Sequence, residues 1–183
     1  MRFGYVGMAF LNEASTLSAV ASECAAEQGE AYFWSFHDRL FDNLTSASRQ
    51  AVNNDTLGQF ALELGMDGKD FSQCLGSGKY TTLVEQTTSA AGSLGVSSTP
   101  TFLINGQKIT GAKSFEVFKA AIEIAAGIIT PAATTQTAVK PFSTLAPPST
   151  PVADKMAAAI AAARHWRGDE KAPVTFIEFS NFL

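Results

Sequence analysis

Gly95-Val96-Ser97-Ser98-Thr99-Pro100-Thr101-Phe102-Leu103-Ile104-Asn105-Gly106 sets a proline directly before a compact apolar run and a two-residue turn directly after it. Thr101–Ile104 reads as a buried strand, Asn105-Gly106 as a hairpin turn, and Gln107–Thr110 as the return strand. Proline has no N–H to give to a sheet, so Pro100 must stand at the strand's first position or on an edge. Two readings follow. A trans proline simply opens the strand. A cis bond, a feature of tight turns, leaves the preceding residue's backbone free to pair with an incoming extended peptide.

Working outward, Arg2–Val6 alternates Phe3 and Tyr5 with smaller or polar neighbours and reads as a short strand. A helical block follows. Glu13–Gln28 is rich in Ala, Leu and Glu and stops at Gly29; Ala31–Asn43 is a second, aromatic-rich helix. Asn54 or Asp55 caps a third, with Leu57, Phe60, Ala61 and Leu64 on one face and Gly65 at its end. A short helix carries Phe71 and Cys74, and a longer one runs from about Gly78 to Leu94. Beyond the hairpin, Ser114 caps a helix striped by Phe115, Phe118, Ala121, Ile122 and Ala125. The order is strand, helical block, hairpin, helix: an α/β domain.

The composition bounds the function. The 183 residues are 46% hydrophobic and 16% charged, which is globular, and the net charge of −4 gives no reason to expect nucleic acid. The longest apolar runs, such as Ala157–Ala163, are far short of a bilayer span, and no basic start followed by an apolar core marks a signal peptide. Two cysteines fifty positions apart exclude a zinc ribbon and a Cys-x-x-Cys redox pair within this chain. With two histidines besides, no metal site or cofactor is expected.

Composition breaks after Gly127. Five of the seven prolines fall between Pro131 and Pro151, and Lys140 is the single charge there, so 128–153 reads as an extended linker between a body, 1–127, and a tail, 154–183. In the tail, Asp154–Trp166 reads as a helix with His165-Trp166-Arg167 at its end. Val174–Phe179 is apolar and β-rich, the pattern of a central strand buried on both faces.

Gly-Val-x-x-Thr-Pro-Thr-Phe-x-Ile-Asn-Gly resembles the cis-proline loop of DsbA-like thioredoxin-fold proteins. Glu23-Cys24-Ala25-Ala26-Glu27-Gln28-Gly29 with Phe33-Trp34-Ser35-Phe36-His37-Asp38-Arg39-Leu40-Phe41, and Gln73-Cys74-Leu75-Gly76-Ser77-Gly78-Lys79-Tyr80, are similar to that family's inserted helical subdomain. The resemblance implies a thioredoxin-like fold with an inserted helical subdomain over 1–127. It also implies thiol–disulfide exchange on extended or unfolded polypeptides in an extracytoplasmic compartment, with Thr99 and Pro100 holding the substrate. In the family a Cys-x-x-Cys follows the first strand and opens a helix whose N-terminus lowers the attacking thiol's pKa. Met1–Val6 resembles the second strand, so the first strand and the active-site helix are missing from the N-terminal side. Ala172–Leu183 resembles that first strand, up to the residue before the first catalytic cysteine.

The domain is therefore expected to be incomplete or circularly permuted. Either the chain is a window on a tandem protein, or the tail folds back as the missing strand. About twenty linker residues at ~3.1 Å each reach ~60 Å, against a body radius of gyration near ~14 Å. The tail could equally pair with another copy in a strand-swapped homodimer.

Glu178 falls where the family keeps a buried acid beside the active site; the other reading is a charge on an exposed strand face. The family's oxidising context favours a structural disulfide between Cys24 and Cys74, closing a loop worth roughly 4 kcal/mol, over two buried thiols. His37, in its aromatic helix, is expected to be structural, with a local partner. The leading function is thus a segment of a disulfide oxidoreductase, inactive without its cysteine pair. The alternatives are a non-catalytic peptide-binding module and a relative of the kappa-type glutathione transferases.

Overall fold

The computed structural model describes residues 1–46, 50–129 and 152–182. The linker expected over 128–153 thus lies almost wholly outside the described residues. The elements run β1 (Arg2–Gly7), α1 (Glu13–Glu27), α2 (Glu30–Thr45), α3 (Asn54–Glu63), α4 (Gly68–Ser77), α5 (Thr81–Ser93), β2 (Thr101–Ile104), β3 (Gln107–Thr110), α6 (Phe115–Ala125), α7 (Val152–Ala162), β4 (His165–Gly168) and β5 (Thr175–Ser180).

The strands form one mixed sheet in the order β3-β2-β5-β1-β4. β5, drawn from the tail, lies at its centre. It runs parallel to β1 from Arg2↔Thr175 to Gly7↔Ser180, and antiparallel to β2 from Thr101↔Phe179 to Ile104↔Phe176. A strand covered on both faces must be apolar at successive positions, and β5 is. Ile177 and Phe179 point to one side and pack with Val6, Met8 and Leu103 beneath Ala91 of α5 and Ala159 of α7. Phe176 points to the other, where Ile104, Ile109 and Phe102 meet Ala121 and Phe118 of α6. The helical block closes a further core around Phe33, Phe36, Phe60 and Phe71.

The hairpin turn forms as read, with Asn105 at φ 45° and Gly106 at φ 89°, the left-handed geometry an Asn-Gly turn requires. Two boundaries differ from expectation. The third helix is capped by Asn53, whose side chain accepts from the Thr56 N–H at 2.9 Å, one residue before the caps expected at Asn54 or Asp55. The tail helix stops at Ala162, and His165-Trp166-Arg167 is not a helix end. With Gly168 it forms β4, antiparallel to β1 from Arg2↔Gly168 to Tyr5↔His165. The outer edge of β1 would otherwise stand unpaired, and satisfying it outweighs local helix propensity.

The same pairing explains Gly4. A Cβ there would lie 2.7 Å from the Trp166 ring. That ring is fixed by Arg2, 3.7 Å over its face, and by its own Nε1–H donating to the Ala163 carbonyl at 2.9 Å. Gly4→Ala is expected to lower the unfolding free energy by about 1–3 kcal/mol, read from urea midpoints; an unchanged midpoint would show that Trp166 moves aside freely.

Candidate functional site

The loop before β2 is held from several sides. Val96 is buried and its N–H donates to the Ala91 carbonyl, folding the chain back on the end of α5. Lys108 Nζ donates to the Gly95 carbonyl at 3.1 Å, the Thr101 hydroxyl donates to the Ser98 carbonyl at 2.7 Å, and Gly111 N–H donates to the Pro100 carbonyl at 2.8 Å. The Thr99–Pro100 bond is cis. Thr99 and Pro100 are half-buried, and no hydrogen bond to the Thr99 backbone is formed among the described residues. Because Thr101 pairs with Phe179 in an antiparallel ladder, Pro100 comes level with Ser180. The loop and the end of β5 are therefore neighbours.

That end of β5 is also anchored. The Ser180 carbonyl accepts from Met8 N–H at 2.7 Å and from the Tyr5 hydroxyl at 3.4 Å, and Asn181 Nδ2 donates to Ser15 Oγ on α1 at 3.2 Å. Phe182 is buried against Tyr5 and Phe41, with ring centroids 5.3 and 5.5 Å away. Beside the loop, a cleft of about 200 Å³ is lined by Met8, Phe10, Thr88, Gly92, Val96 and Ser97. A roomier groove, about 870 Å³, lies on the helical block against Leu17, Val20, Val52 and Leu75, away from these groups.

Glu178 is level with Tyr5 on one side and Phe102 on the other. It shares a sheet face with Phe176 and Ser180 and is half-buried, between the two readings its sequence left open. Burial pushes its carboxyl pKa up, against the pull of a hydrogen bond with Ser180. Burial, and then the negative charge of Glu178, push the Tyr5 phenol well above its ordinary value.

His37 has the local partner expected of it, its Nδ1 lying 2.8 Å from Asp38 Oδ1. Burial holds its pKa down despite that contact. Its ring is caged by Tyr5, Phe41 and Phe182, and Nε2 is buried without a hydrogen-bond partner in the described structure.

Cys24 Sγ and Cys74 Sγ are bonded, tying α1 to α4. His165 had no functional reading in the sequence, yet both of its ring nitrogens meet carboxylates, on Glu23 and Glu30. Partners more than 130 positions away leave no local signal. Among the described residues no cluster of His, Cys, Asp and Glu is suited to hold a metal, and no helix is long and apolar enough to cross a membrane.

A mixed sheet with a central strand taken between a parallel and an antiparallel neighbour, a helical insertion after β1, and a proline loop opening β2 define the thioredoxin fold. The chain belongs to the thioredoxin family: the family model described as "Thioredoxin" matches residues 2–124. This upholds, at the level of the family, the resemblance drawn from the loop and the helical block.

Among curated proteins, the chain is 24% identical over 124 residues to Disulfide bond formation protein D of Bacillus subtilis (strain 168), covering 67% of this chain and 56% of that one. It is 33% identical over 106 residues to Na(+)/H(+) antiporter NhaA 3 of Salinispora tropica, covering 58% of this chain and 15% of the antiporter. It is 32% identical over 107 residues to Na(+)/H(+) antiporter NhaA of Herminiimonas arsenicoxydans, covering 58% and 16%. The chain thus spans little more than half the length of one of these relatives and about a sixth of the other two. No solved structure matches.

Two outcomes follow from the geometry. The folded-state pKa of Glu178 is raised, so the folded chain holds that proton more tightly than the unfolded one. Stability present in acid is lost as pH climbs through the folded pKa. Glu178→Gln should therefore be more stable than the parent at about pH 7 but not at about pH 3.5, below the ordinary carboxylate range. Equal differences in urea midpoint at both pH values would contradict this. The bridge closes a loop with a sequence separation of 50. Replacing both Cys24 and Cys74 by Ala should cost about 4 kcal/mol in non-reducing denaturation; a cost under ~1 kcal/mol would mean that native-state or unfolded-state effects cancel the entropy gain.

Proposed function

We propose that this chain carries the substrate-holding side of a thiol–disulfide exchange site that acts on extended or unfolded polypeptides in an extracytoplasmic compartment. The observation that carries the reading is the position of the Thr99–Pro100 loop, level with the end of β5, with its Thr99 backbone unpaired among the described residues. An unpaired backbone at a sheet's end recognises an extended peptide through main-chain hydrogen bonds and makes little demand on its sequence. The adjoining cleft, with Met8, Phe10 and Val96 in its walls, suits an apolar side chain of that peptide. Family membership and the likeness to a protein named for disulfide bond formation support the chemistry.

Glu178 then has a role as the proton-transfer partner of a thiol placed after β5. Its raised pKa suits it to carry a proton nearer neutrality than an ordinary carboxylate does. Exchange itself needs a thiolate to attack a substrate disulfide and form a mixed disulfide. Both cysteines of this chain are already bonded to each other, so this chain is proposed to bind polypeptide but not to turn it over.

The experiment has two arms. In dithiothreitol-driven reduction of insulin the chain should match a protein-free blank; turnover well above it refutes the absence of catalysis. A fluorescent, unfolded apolar peptide should bind the chain, and Pro100→Ala should weaken binding several-fold, because proline fixes the loop's φ and alanine frees it. Binding unaffected by Pro100→Ala would remove the loop from the substrate site.

A further inference from the structure

A cluster of charged side chains lies away from the loop, where β4 meets the helical block. His165 is 6% exposed and lies flat on Phe33, with ring centroids 3.4 Å apart and planes within 13°. Its Nδ1 is 3.0 Å from Glu30 Oε2 and its Nε2 is 3.2 Å from Glu23 Oε1. Three elements meet at this ring: Glu23 on α1, Glu30 on α2 and His165 on β4. The second oxygen of Glu23 holds Arg164 Nε at 3.4 Å. The second oxygen of Glu30 accepts from the Trp34 indole at 3.1 Å and from the Trp166 backbone N–H at 3.3 Å. Arg167 reaches back across the same seam, 3.2 Å from Asp38 and 4.2 Å over the Trp34 ring.

We propose that Glu23, His165 and Glu30 form an acid-tightened clamp that fastens the tail strands to the helical block. A carboxylate only accepts hydrogen bonds, and a neutral imidazole donates from one nitrogen alone. The imidazolium is the one form of His165 that satisfies both carboxylates. Deprotonation leaves one contact without its hydrogen at a buried ring, between a mostly buried Glu23 and a half-exposed Glu30, and an unmade bond at a buried group is costly.

β4 has need of such a fastening. It is the outermost strand and pairs with β1 over four positions. β5 begins seven residues after β4 ends, so whatever seats β4 also helps seat the central strand.

The other charged groups facing the cluster are accounted for. On α2, His37 has its pKa held down by burial, so its charging in acid weakens the fold, the opposite sense to the clamp. Asp38, on α2, and Arg167, on β4, neutralise each other as a pair. Arg164, just before β4, is shared with Glu23, and Arg2, on β1, sits on Trp166. The clamp stands apart from the proposed exchange site and does not depend on it.

Trp34 and Trp166 both belong to this seam, and they are the two tryptophans of the sequence. Intrinsic fluorescence of the full chain therefore reports on it. On lowering the pH from about 8 to about 5 the emission should shift along a single sigmoid. Exchange of the Trp166 amide, corrected for its intrinsic pH dependence, should slow several-fold towards acid. His165→Gln should remove both responses, and His37→Gln should keep them. A parent chain without either response, or an undiminished response in His165→Gln, overturns the clamp. Should His165→Gln not fold, histidine-labelled NMR of the parent decides. Two hydrogen-bonded ring N–H protons on His165 in acid, one of them lost on raising the pH, support the clamp; a single proton throughout sinks it.

Discussion

β1 and β2 do not pair with each other, and neither can finish its hydrogen bonding without a strand between them. β1 offers an edge six residues long and β2 one of four, and β5 fills both at once, parallel to the first and antiparallel to the second. Buried backbone groups must be paired, so this one insertion decides whether there is a sheet at all. It also supplies what the two faces pack upon, through Ile177 and Phe179 on one side and Phe176 on the other. The loop at Thr99–Pro100 inherits its place from the same ladder, through the pairing of Thr101 with Phe179. Stability and the candidate site thus have a common origin.

The parts that could be read in advance are those whose physics is local. Asn105-Gly106 admits left-handed backbone, so the hairpin followed from two residues. Val174–Phe179 was apolar at nearly every position, and a strand of that kind has no place except between two others. β4 was not legible. His165-Trp166-Arg167 continues an alanine-rich run that favours helix, and only the open edge of β1, more than 150 residues earlier, makes a strand of it. Asn53 was not legible as the cap, since Asn53, Asn54 and Asp55 all cap well and the choice depends on how the preceding chain arrives.

The candidate site divides the same way. Thr99 and Pro100 could be singled out because proline before a strand is a constraint on the backbone alone. Glu178 could be located but not characterised. Its raised pKa depends on burial at a position level with Tyr5 and Phe102. Glu23 and Glu30 make the contrast. Each meets cationic or N–H donors from β4 or the residue just before it, more than 130 positions away in sequence.

The parallel pairing of Arg2 with Thr175 has a consequence for how the protein is made. Synthesis runs from the N-terminus, and domains fold as their pieces emerge. β1 leaves the ribosome well before β5, its partner, which follows after the helical block, the hairpin, α6 and α7. Until then the helical block can close, because its contacts lie within its own stretch, and the Cys24 and Cys74 thiols can meet. The body must meanwhile carry both edges of β1 and the inner edge of β2 bare, the kind of surface on which chains pair wrongly with one another. Topologies built on such distant contacts fold slowly. The interval before β5 arrives is when this chain is most exposed to association with its neighbours.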